Sequence, residues 1–149
     1  NNQETLRANS NDIVSQRALR EIYLRGFGIC VRESSPYSIM TSYNLLNGIH
    51  TANNRDLIQS VLRDEWGFEG VVMTDWFTSQ DVSFMGCFSE IYPISSSVGC
   101  IKAGNDWQMP GCLENITDIE KAVESGELDL PDLVFCGTNI IRMAVKCYS

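Results

Sequence analysis

A chain of 149 residues with 44% hydrophobic side chains is long enough to form one globular domain with its own core. Its formal net charge of -8, without any stripe of lysine and arginine, argues against nucleic acid or an anionic lipid surface as a partner. No apolar run reaches the ~20 residues of a membrane-spanning helix, so we expect no membrane partner either.

Three features of the sequence bear on the cellular compartment and on cofactors: the cysteines, the single histidine and the amino terminus. Six cysteines without a Cys-x-x-Cys pair predict small buried side chains in a reducing compartment, with a disulfide framework as the weaker alternative. His50 lies in a polar segment without a second histidine, so it is interpreted as a loop residue, and neither a metal nor another cofactor is predicted. The amino terminus lacks the features of a secretory signal and an initiator methionine, which predicts a cytoplasmic protein and a chain that begins within a longer one.

The amino-terminal half predicts a helix, a strand and a second helix. Apolar side chains recur at helical spacing over 12–33, and Asn11 or Asp12 is available as the N-cap. A short strand is predicted over 37–43, where aromatic and β-branched residues follow a proline. The segment 53–66 carries apolar residues on one face and is predicted to be helical.

The next strand ends in a carboxylate. The apolar run 71–73 predicts a strand that is buried on both faces, so Asp75 should stand just beyond its carboxyl end. That edge is where parallel α/β folds place their binding and catalytic groups. The local pattern alone equally suits an Asp75 that only caps a following turn, but Trp76 favours a sugar site, because an apolar ring beside a carboxylate suits a sugar.

The remainder of the chain is predicted to be rich in helix. A less regular stretch over 77–93 precedes a helix over 95–103, a brief strand over 104–109, and amphipathic helices over 117–125 and 131–147. In the last helix the side chains predicted to face inward are Leu133, Val134, Gly137, Ile140, Ile141, Ala144 and Val145.

The spacing of the strand exits predicts the fold class. The exits near Tyr43, Asp75 and Met109 are about 32 and 34 residues apart, which is typical of successive β/α units with parallel strands. A closed eight-fold barrel needs ~250 residues, so the chain would hold roughly three of the eight units. The predicted fold is α/β, a partial (β/α)8 TIM-type barrel with about three β/α units, parallel strands and a helix-rich C-terminus, in a single unit over 1–149.

Asp75 is a candidate nucleophile for glycoside hydrolysis. Retaining glycosidases hold an ionised carboxylate against the anomeric carbon, and a second carboxyl group ~5 Å away protonates the leaving oxygen. The further acids Asp81, Glu90 and Asp106 carry no pattern that identifies a proton donor.

Two other functions remain open from the residues alone. Asp75 could be the phosphoacceptor of a receiver-like switch domain, but the acidic pair and the lysine that such a domain needs are not seen. The chain could also be a non-catalytic scaffold or sugar-binding remnant, in which Tyr43, Trp76 and Trp107 only stack or pack.

In five ordered stretches the sequence resembles glycoside hydrolase family 3, the group that includes many bacterial and fungal β-glucosidases. These stretches are 1–5 (Asn-Asn-Gln-Glu-Thr), 15–24, 40–44 (Met-Thr-Ser-Tyr-Asn), 62–76 (ending in Gly-Val-Val-Met-Thr-Asp-Trp) and 103–111 (Ala-Gly-Asn-Asp-Trp-Gln-Met-Pro-Gly). The resemblance extends over nearly the whole chain, and the ordered set of stretches is highly specific for the family.

The resemblance implies an exo-acting, retaining β-glycosidase, with a β-glucosidase as the first candidate and a small-molecule glycoside or oligosaccharide as the substrate. Asp75 takes the position of the nucleophile. Tyr43 and Trp76 would line the subsite for the terminal sugar, and Met40 would form part of its wall. Arg7 matches an arginine near that subsite, although a helix-flanking salt bridge explains it equally well.

The resemblance also implies where the chain departs from the family. Asp106 is expected to be structural, closing the last barrel strand against its helix. Gly28, Phe77 and Trp107 stand where the family usually has other residue types. A Lys-His pair and further sugar-binding residues are expected before Asn1, and the general acid/base is expected from a following domain. We therefore expect the isolated chain to be inactive or nearly so, and its open barrel edges to favour self-association.

Overall fold

Short strands alternate with helices along the chain. The structure is a computed structural model that describes residues 4–79 and 91–148. The strands are β1 (Asn11–Asp12), β2 (Ser38–Met40), β3 (Leu45–Leu46), β4 (Ile49–His50) and β5 (Val71–Met73). The α-helices are α1 (Gln16–Ala18), α2 (Arg25–Ser34), α3 (Ser97–Ala103), α4 (Leu113–Ser125) and α5 (Leu130–Tyr148). Thr51–Asn53 forms a 3-10 turn, and Leu19–Tyr23 and Asp56–Glu65 form helices of the π type.

Three parallel segments lie side by side, as the spacing of the strand exits predicts. β2 pairs in parallel with β5, and Met73 of β5 forms a further parallel bridge with Trp107. The predicted strand over 37–43 is shorter than expected, and the one over 104–109 is reduced to this single bridge. The reason for the second difference is that the Val72 amide donates to the Asp106 carboxylate at 2.7 Å instead of continuing a backbone ladder.

A small second sheet was not predicted. β1 pairs in parallel with β3, which pairs antiparallel with β4, so Asn11 and Asp12 lie in a strand rather than capping a helix. Their side chains are tied to the hairpin, because Asn11 accepts a hydrogen bond from the Gly48 amide and Asp12 accepts one from the Asn44 side chain. The prediction of a helix starting at residue 12 is therefore wrong.

The helix actually begins after Ser15, whose hydroxyl accepts a hydrogen bond from the Ala18 amide at 3.2 Å. This is the ordinary N-cap interaction of a serine. The other predicted helices over 53–66, 95–103 and 131–147 are confirmed with small shifts at their ends. The helix predicted over 117–125 begins at Leu113 instead, because the Thr117 hydroxyl donates to the Leu113 carbonyl within the helix and does not cap it.

Two apolar clusters hold these layers together. The first lies between the parallel strands and the helices that cover them, and consists of Val31, Ile58, Leu62, Phe68, Val72 and Ala103. The second joins α3, α4 and α5, and consists of Val98, Ile101, Ala122, Leu128 and Cys136. Gly28 allows α2 to approach the helix Asp56–Glu65, since a Cβ atom there would lie 3.1 Å from the Trp66 ring.

One face of α5 is open. Val134, Ile141 and Val145 are more than half exposed and Ala144 is exposed as well, so the prediction that these four face inward is wrong. The helix packs on α3 through the side that carries the buried Cys136 and Asn139, which turns the opposite side toward solvent.

The cysteine and histidine predictions hold only in part. Cys100 and Cys136 are buried as expected, and burial raises the pKa of the Cys136 thiol to about 12. Cys30 and Cys147 are exposed, which contradicts the expectation for those two, and Cys87 lies outside the described residues. His50 is not a loop residue, because it ends β4 and is buried.

Within residues 4–79 and 91–148, no helix combines the length and the apolar character that crossing a membrane would require.

Candidate active site

Asp75 stands two residues beyond β5, at the edge of the sheet where β2 also ends. Its side chain is half-buried, and its Oδ1 atom accepts a hydrogen bond from the Trp76 amide at 2.7 Å. The Thr78 hydroxyl donates to the Asp75 carbonyl at 2.8 Å. These two bonds fix the turn that presents the carboxylate.

Tyr43 connects this turn to two other parts of the chain. Its hydroxyl donates to the Trp76 carbonyl at 2.7 Å, and the Arg7 guanidinium carbon lies 4.8 Å from the centre of its ring. Arg7 also pairs with the exposed Glu4 at 3.2 Å. Arg7 thus makes a salt bridge and also lies against the Tyr43 ring, while its place beside a sugar subsite stays a prediction.

The apolar members of the predicted site are open to solvent. Trp76 is 54% exposed and Met40 is 56% exposed. The Trp76 ring meets the edge of Phe77, with 6.0 Å between the ring centres. Phe77 has φ of 58°, a left-handed conformation that is uncommon for a bulky residue, and its amide donates to the Met109 carbonyl at 2.8 Å. The turn after Asp75 is thus held in an unusual backbone shape by the segment that follows Trp107.

Asp106 binds groups on the strand that carries the site and on two helices, which is the structural role that was expected of it. Its Oδ2 accepts hydrogen bonds from the Val72 amide at 2.7 Å and from Arg63 at 2.6 Å, and its Oδ1 accepts one from the Asn139 side chain at 2.9 Å. Burial raises the pKa of the Asp106 carboxyl, while Arg63, Asn139 and the Val72 amide oppose that shift. One side chain thereby joins β5, the helix Asp56–Glu65 and α5.

Three further polar side chains join the strand exits, and sequence reasoning missed them. The Thr74 hydroxyl accepts a hydrogen bond from the Met109 amide at 2.9 Å. The Asn105 side chain donates to the Thr41 hydroxyl at 3.0 Å, and Thr41 donates to the Met73 carbonyl at 3.4 Å. All three are buried. Thr41 and Thr74 directly follow the paired residues Met40 and Met73, and Asn105 lies two residues before Trp107. A threonine directly after each of the two paired strands was the signal available in the sequence.

His50 was also missed as a support of the site. Its Nδ1 atom donates to the Tyr43 carbonyl at 2.9 Å, because a carbonyl oxygen can only accept. Burial lowers the pKa of His50, and the bond to Tyr43 opposes this shift. A neutral imidazole therefore fixes the backbone that carries the Tyr43 ring.

An open hollow of about 670 Å³ lies next to the site, between the amino-terminal helices and β2. Met40, Thr41, Tyr23 and Phe27 are among its lining residues, while Asp75 lies outside the lining. In the described parts of the chain, no group of three or more His, Cys, Asp and Glu side chains could hold a metal ion.

The chain was then compared with known families. Residues 6–141 match the profile described as "Glycosyl hydrolase family 3 N terminal domain". The chain belongs to glycosyl hydrolase family 3. Its fold is accordingly part of the family 3 α/β barrel, which argues against the receiver-like alternative.

Relatives with similar sequences are named as glycosidases. "Beta-glucosidase B" of Emericella nidulans is 38% identical over 148 residues, which are 98% of this chain and 16% of that protein. "Beta-glucosidase" of Ruminococcus albus is 36% identical over 152 residues, which cover 100% of this chain and 15% of that protein. "Exo-alpha-(1->6)-L-arabinopyranosidase" of Bifidobacterium longum is 52% identical over 81 residues, which are 54% of this chain and 11% of that protein.

Solved family 3 structures have the same fold over this chain. Beta-glucosidase 3B from Thermotoga neapolitana in complex with alpha-D-glucose superposes with a TM-score of 0.83 at 42% identity, covering 97% of this chain and 19% of that one. The Bifidobacterium adolescentis GH3 beta-glucosidase gives a TM-score of 0.79 at 37% identity, covering 98% of this chain and 19% of that one. The chain therefore spans less than one fifth of the length of these relatives.

Proposed function

We propose that the protein to which this chain contributes is a retaining, exo-acting β-glycosidase with Asp75 as its nucleophile. It hydrolyses terminal, non-reducing β-linked sugars, with β-glucosides as the first candidates. The observation that carries this proposal is the place of Asp75, which is half-buried at the exit of parallel strands and is followed by Trp76, whose carbonyl accepts a hydrogen bond from Tyr43. The names of the relatives and the glucose bound in the Thermotoga neapolitana enzyme support the substrate class.

The chemistry follows from the orientation of the carboxylate. The Trp76 amide holds Oδ1 of Asp75, so Oδ2 is the atom we assign to attack on the anomeric carbon. The new bond to Oδ2 forms as the bond to the leaving oxygen breaks, and a second carboxyl group protonates that oxygen. Water then hydrolyses the glycosyl-enzyme ester, and the configuration at the anomeric carbon is retained after two inversions.

The remaining predicted site residues hold the terminal sugar. Trp76 offers an exposed ring beside the carboxylate, and Met40 offers an apolar wall at the end of β2. Arg7 lies against the Tyr43 ring and helps to orient that ring. Each of these contacts accelerates the reaction only to the extent that it strengthens in the transition state.

We further propose that the general acid/base and part of the sugar clamp are supplied from outside this chain. General acid–base catalysis typically contributes about 10² to 10⁴ in rate, so the isolated chain should show no measurable turnover of p-nitrophenyl β-D-glucoside. Turnover by the isolated chain at a rate near that of the whole protein would contradict this proposal.

The proposed nucleophile is tested by replacing it in the whole protein. Asp75→Gly should lower the kcat for p-nitrophenyl β-D-glucoside by roughly 10³-fold or more, because the covalent step loses its nucleophile. Azide should restore turnover and give the α-glucosyl azide, since the small anion enters the space that the carboxylate leaves. Asp64→Asn, at an exposed carboxylate on the helix Asp56–Glu65, is the matched control and should keep full activity.

Two outcomes would reject the assignment. If Asp75→Gly kept wild-type turnover, another residue would be the nucleophile. If the wild-type protein bound glucosides without hydrolysing them, the scaffold alternative would replace the enzyme.

A further inference from the structure

Three large side chains form a row across the parallel segments. Met40 lies opposite Met73 in the pairing of β2 with β5, and Met73 lies opposite Trp107 in the next bridge. Residues that are paired in neighbouring parallel strands project from the same face of the sheet. Met40, Met73 and Trp107 therefore stand side by side.

This row is on the face of the sheet that the helices do not cover. Val72, next to Met73, is completely buried in the apolar cluster below the sheet, and Asp106, next to Trp107, is buried in its polar network. Because neighbours along a strand point to opposite faces, the row projects away from the helices, toward the interior of the barrel of which this chain is a part.

Asp75 belongs to the same side, one layer further along. From Val72 to Asp75 burial alternates, with Val72 and Thr74 buried and with Met73 and Asp75 half-buried, while Val71 at the start of β5 is buried as well. Asp75 is therefore two residues nearer than Met73 to the carboxyl end of this segment.

Backbone hydrogen bonds keep Trp107 beside this turn. The Trp107 amide donates to the Val72 carbonyl at 3.0 Å, and the Thr74 amide donates to the Trp107 carbonyl at 2.9 Å. The Met109 amide is held by the Thr74 hydroxyl at 2.9 Å. The position of the Trp107 ring is therefore set by the same strand that presents Asp75.

We propose that Met40, Met73 and Trp107 form the apolar floor of the sugar site below Asp75, and that Trp107 is a specificity-determining residue for the terminal sugar. This inference rests on the proposed glycosidase function. The indole contacts the carbon-bound hydrogens of the sugar, including the hydroxymethyl group that a hexopyranoside carries on C5 and a pentopyranoside lacks. We assign the row to the sugar site because it lies next to Asp75 and Trp76 along the same strand.

The proposed contact between Trp107 and the C5 hydroxymethyl group bears on the different sugars for which the relatives are named. Two of them are named as β-glucosidases and one as an L-arabinopyranosidase, so hexoses and a pentose are both represented. A single additional carbon group in an apolar pocket is typically discriminated by roughly 10- to 200-fold. A floor residue that touches that group can therefore change the choice of sugar without altering the nucleophile.

The test compares two substrates that differ only in the C5 hydroxymethyl group. In the whole protein, Trp107→Leu should lower the ratio of kcat/KM for p-nitrophenyl β-D-glucoside over the β-D-xyloside by roughly 10-fold, whereas Trp107→Phe should keep most of that ratio. An equal loss with both substrates would show that Trp107 only stabilises the fold, and would overturn the proposal.

Labelling separates failure of this proposal from failure of the proposed function. A 2-deoxy-2-fluoro-β-glucosyl fluoride should label Asp75 in the wild type and in Trp107→Leu. If the wild type is not labelled there, the proposed function fails. If both are labelled and the substrate ratio is unchanged, only the role of Trp107 fails.

A second test, by fluorine NMR, keeps the indole ring of Trp107 in place. In wild-type protein containing 5-fluorotryptophan, the fluorine resonance of Trp107, identified by its absence in Trp107→Phe, should shift when glucose saturates the site. An unshifted resonance at a glucose concentration that fully inhibits turnover would overturn the proposal.

Discussion

Tyr43 is the residue at which three separate parts of the candidate site meet. Its hydroxyl binds the Trp76 carbonyl, its ring contacts Arg7, and its carbonyl accepts from His50. These contacts set the wall of the proposed sugar subsite more than they stabilise the core, since Tyr43 itself is only half-buried.

Tyr43→Phe in the whole protein should therefore affect catalysis more than folding. Loss of one hydrogen bond is worth about 0.5–1.5 kcal/mol, which corresponds to a fall in kcat/KM of roughly 2- to 12-fold. Tyr148→Phe removes a hydroxyl from an exposed tyrosine at the end of α5 and serves as the control. Equal kcat/KM values for the two variants would show that the bond to Trp76 has no part in catalysis.

His50 predicts a specific pH dependence of stability. Burial lowers its pKa in the folded state, so the unfolded chain takes up a proton first as the pH falls below about 6.5. The free energy of unfolding contributed by this group is thus complete above that pH and is lost as the pH decreases toward the lower folded-state pKa.

Urea denaturation of the chain between pH 5 and pH 8 measures this effect. The wild type should lose stability toward pH 5 more steeply than His50→Gln, which cannot titrate. Identical slopes in the two proteins would mean that His50 has the same pKa in both states.

At the scale of elements, the network around Asp106 joins one strand to two helices. The Arg63 and Asp106 side chains are both buried, and Asp106 also binds the Val72 amide and the Asn139 side chain. Removing the negative charge would leave the Arg63 guanidinium buried without its counter-charge.

Asp106→Asn should therefore lower the free energy of unfolding by about 3–5 kcal/mol, the usual cost of breaking a buried ion pair. Glu21→Gln breaks the exposed pair between Arg17 and Glu21 and should cost no more than about 0.5 kcal/mol. Urea denaturation of the two variants gives both values. A similar small loss in each would show that the buried pair contributes no more than a surface one.

The elements that the sequence predicted well carry a clear apolar pattern. The helices Asp56–Glu65 and α5 follow from the spacing of apolar residues, and the strand β5 follows from an unbroken apolar run. The two-residue strands β1, β3 and β4 are too short to show any period, and side-chain bonds to the hairpin hold β1 in place. Such bonds join residues more than 30 positions apart, which local patterns do not reveal.

The candidate site was predictable to a similar extent. An apolar run that ends at Asp75 and Trp76 is a local signal, so their place at the strand exit could be expected. The bond from Tyr43 to Trp76 and the row from Met40 to Trp107 depend on strand register, which is fixed only when the strands pair.

At the scale of the whole molecule, the chain exposes surfaces that suit association. Val134, Ile141 and Val145 make an apolar stripe on α5, and within the described residues the second edge of β2 has no partner strand. Unpaired strand edges and exposed apolar stripes both favour contact with another chain.

We therefore expect the isolated chain to self-associate, with a mass by light scattering that rises with concentration. Ile141→Lys should shift the protein toward the monomer, because it places a charge in the stripe. Glu120→Lys makes a comparable change at an exposed position on α4 and should leave the association unchanged. A stable wild-type monomer at high concentration would argue against this expectation.

The role of Asp75 is tested most directly by trapping the glycosyl-enzyme in the whole protein. After reaction with a 2-deoxy-2-fluoro-β-glucosyl fluoride, peptide mapping by mass spectrometry should find one fluoroglucosyl group per chain, attached to Asp75. A label on a different carboxylate, or continued turnover of the reagent with no covalent label at all, would contradict the account.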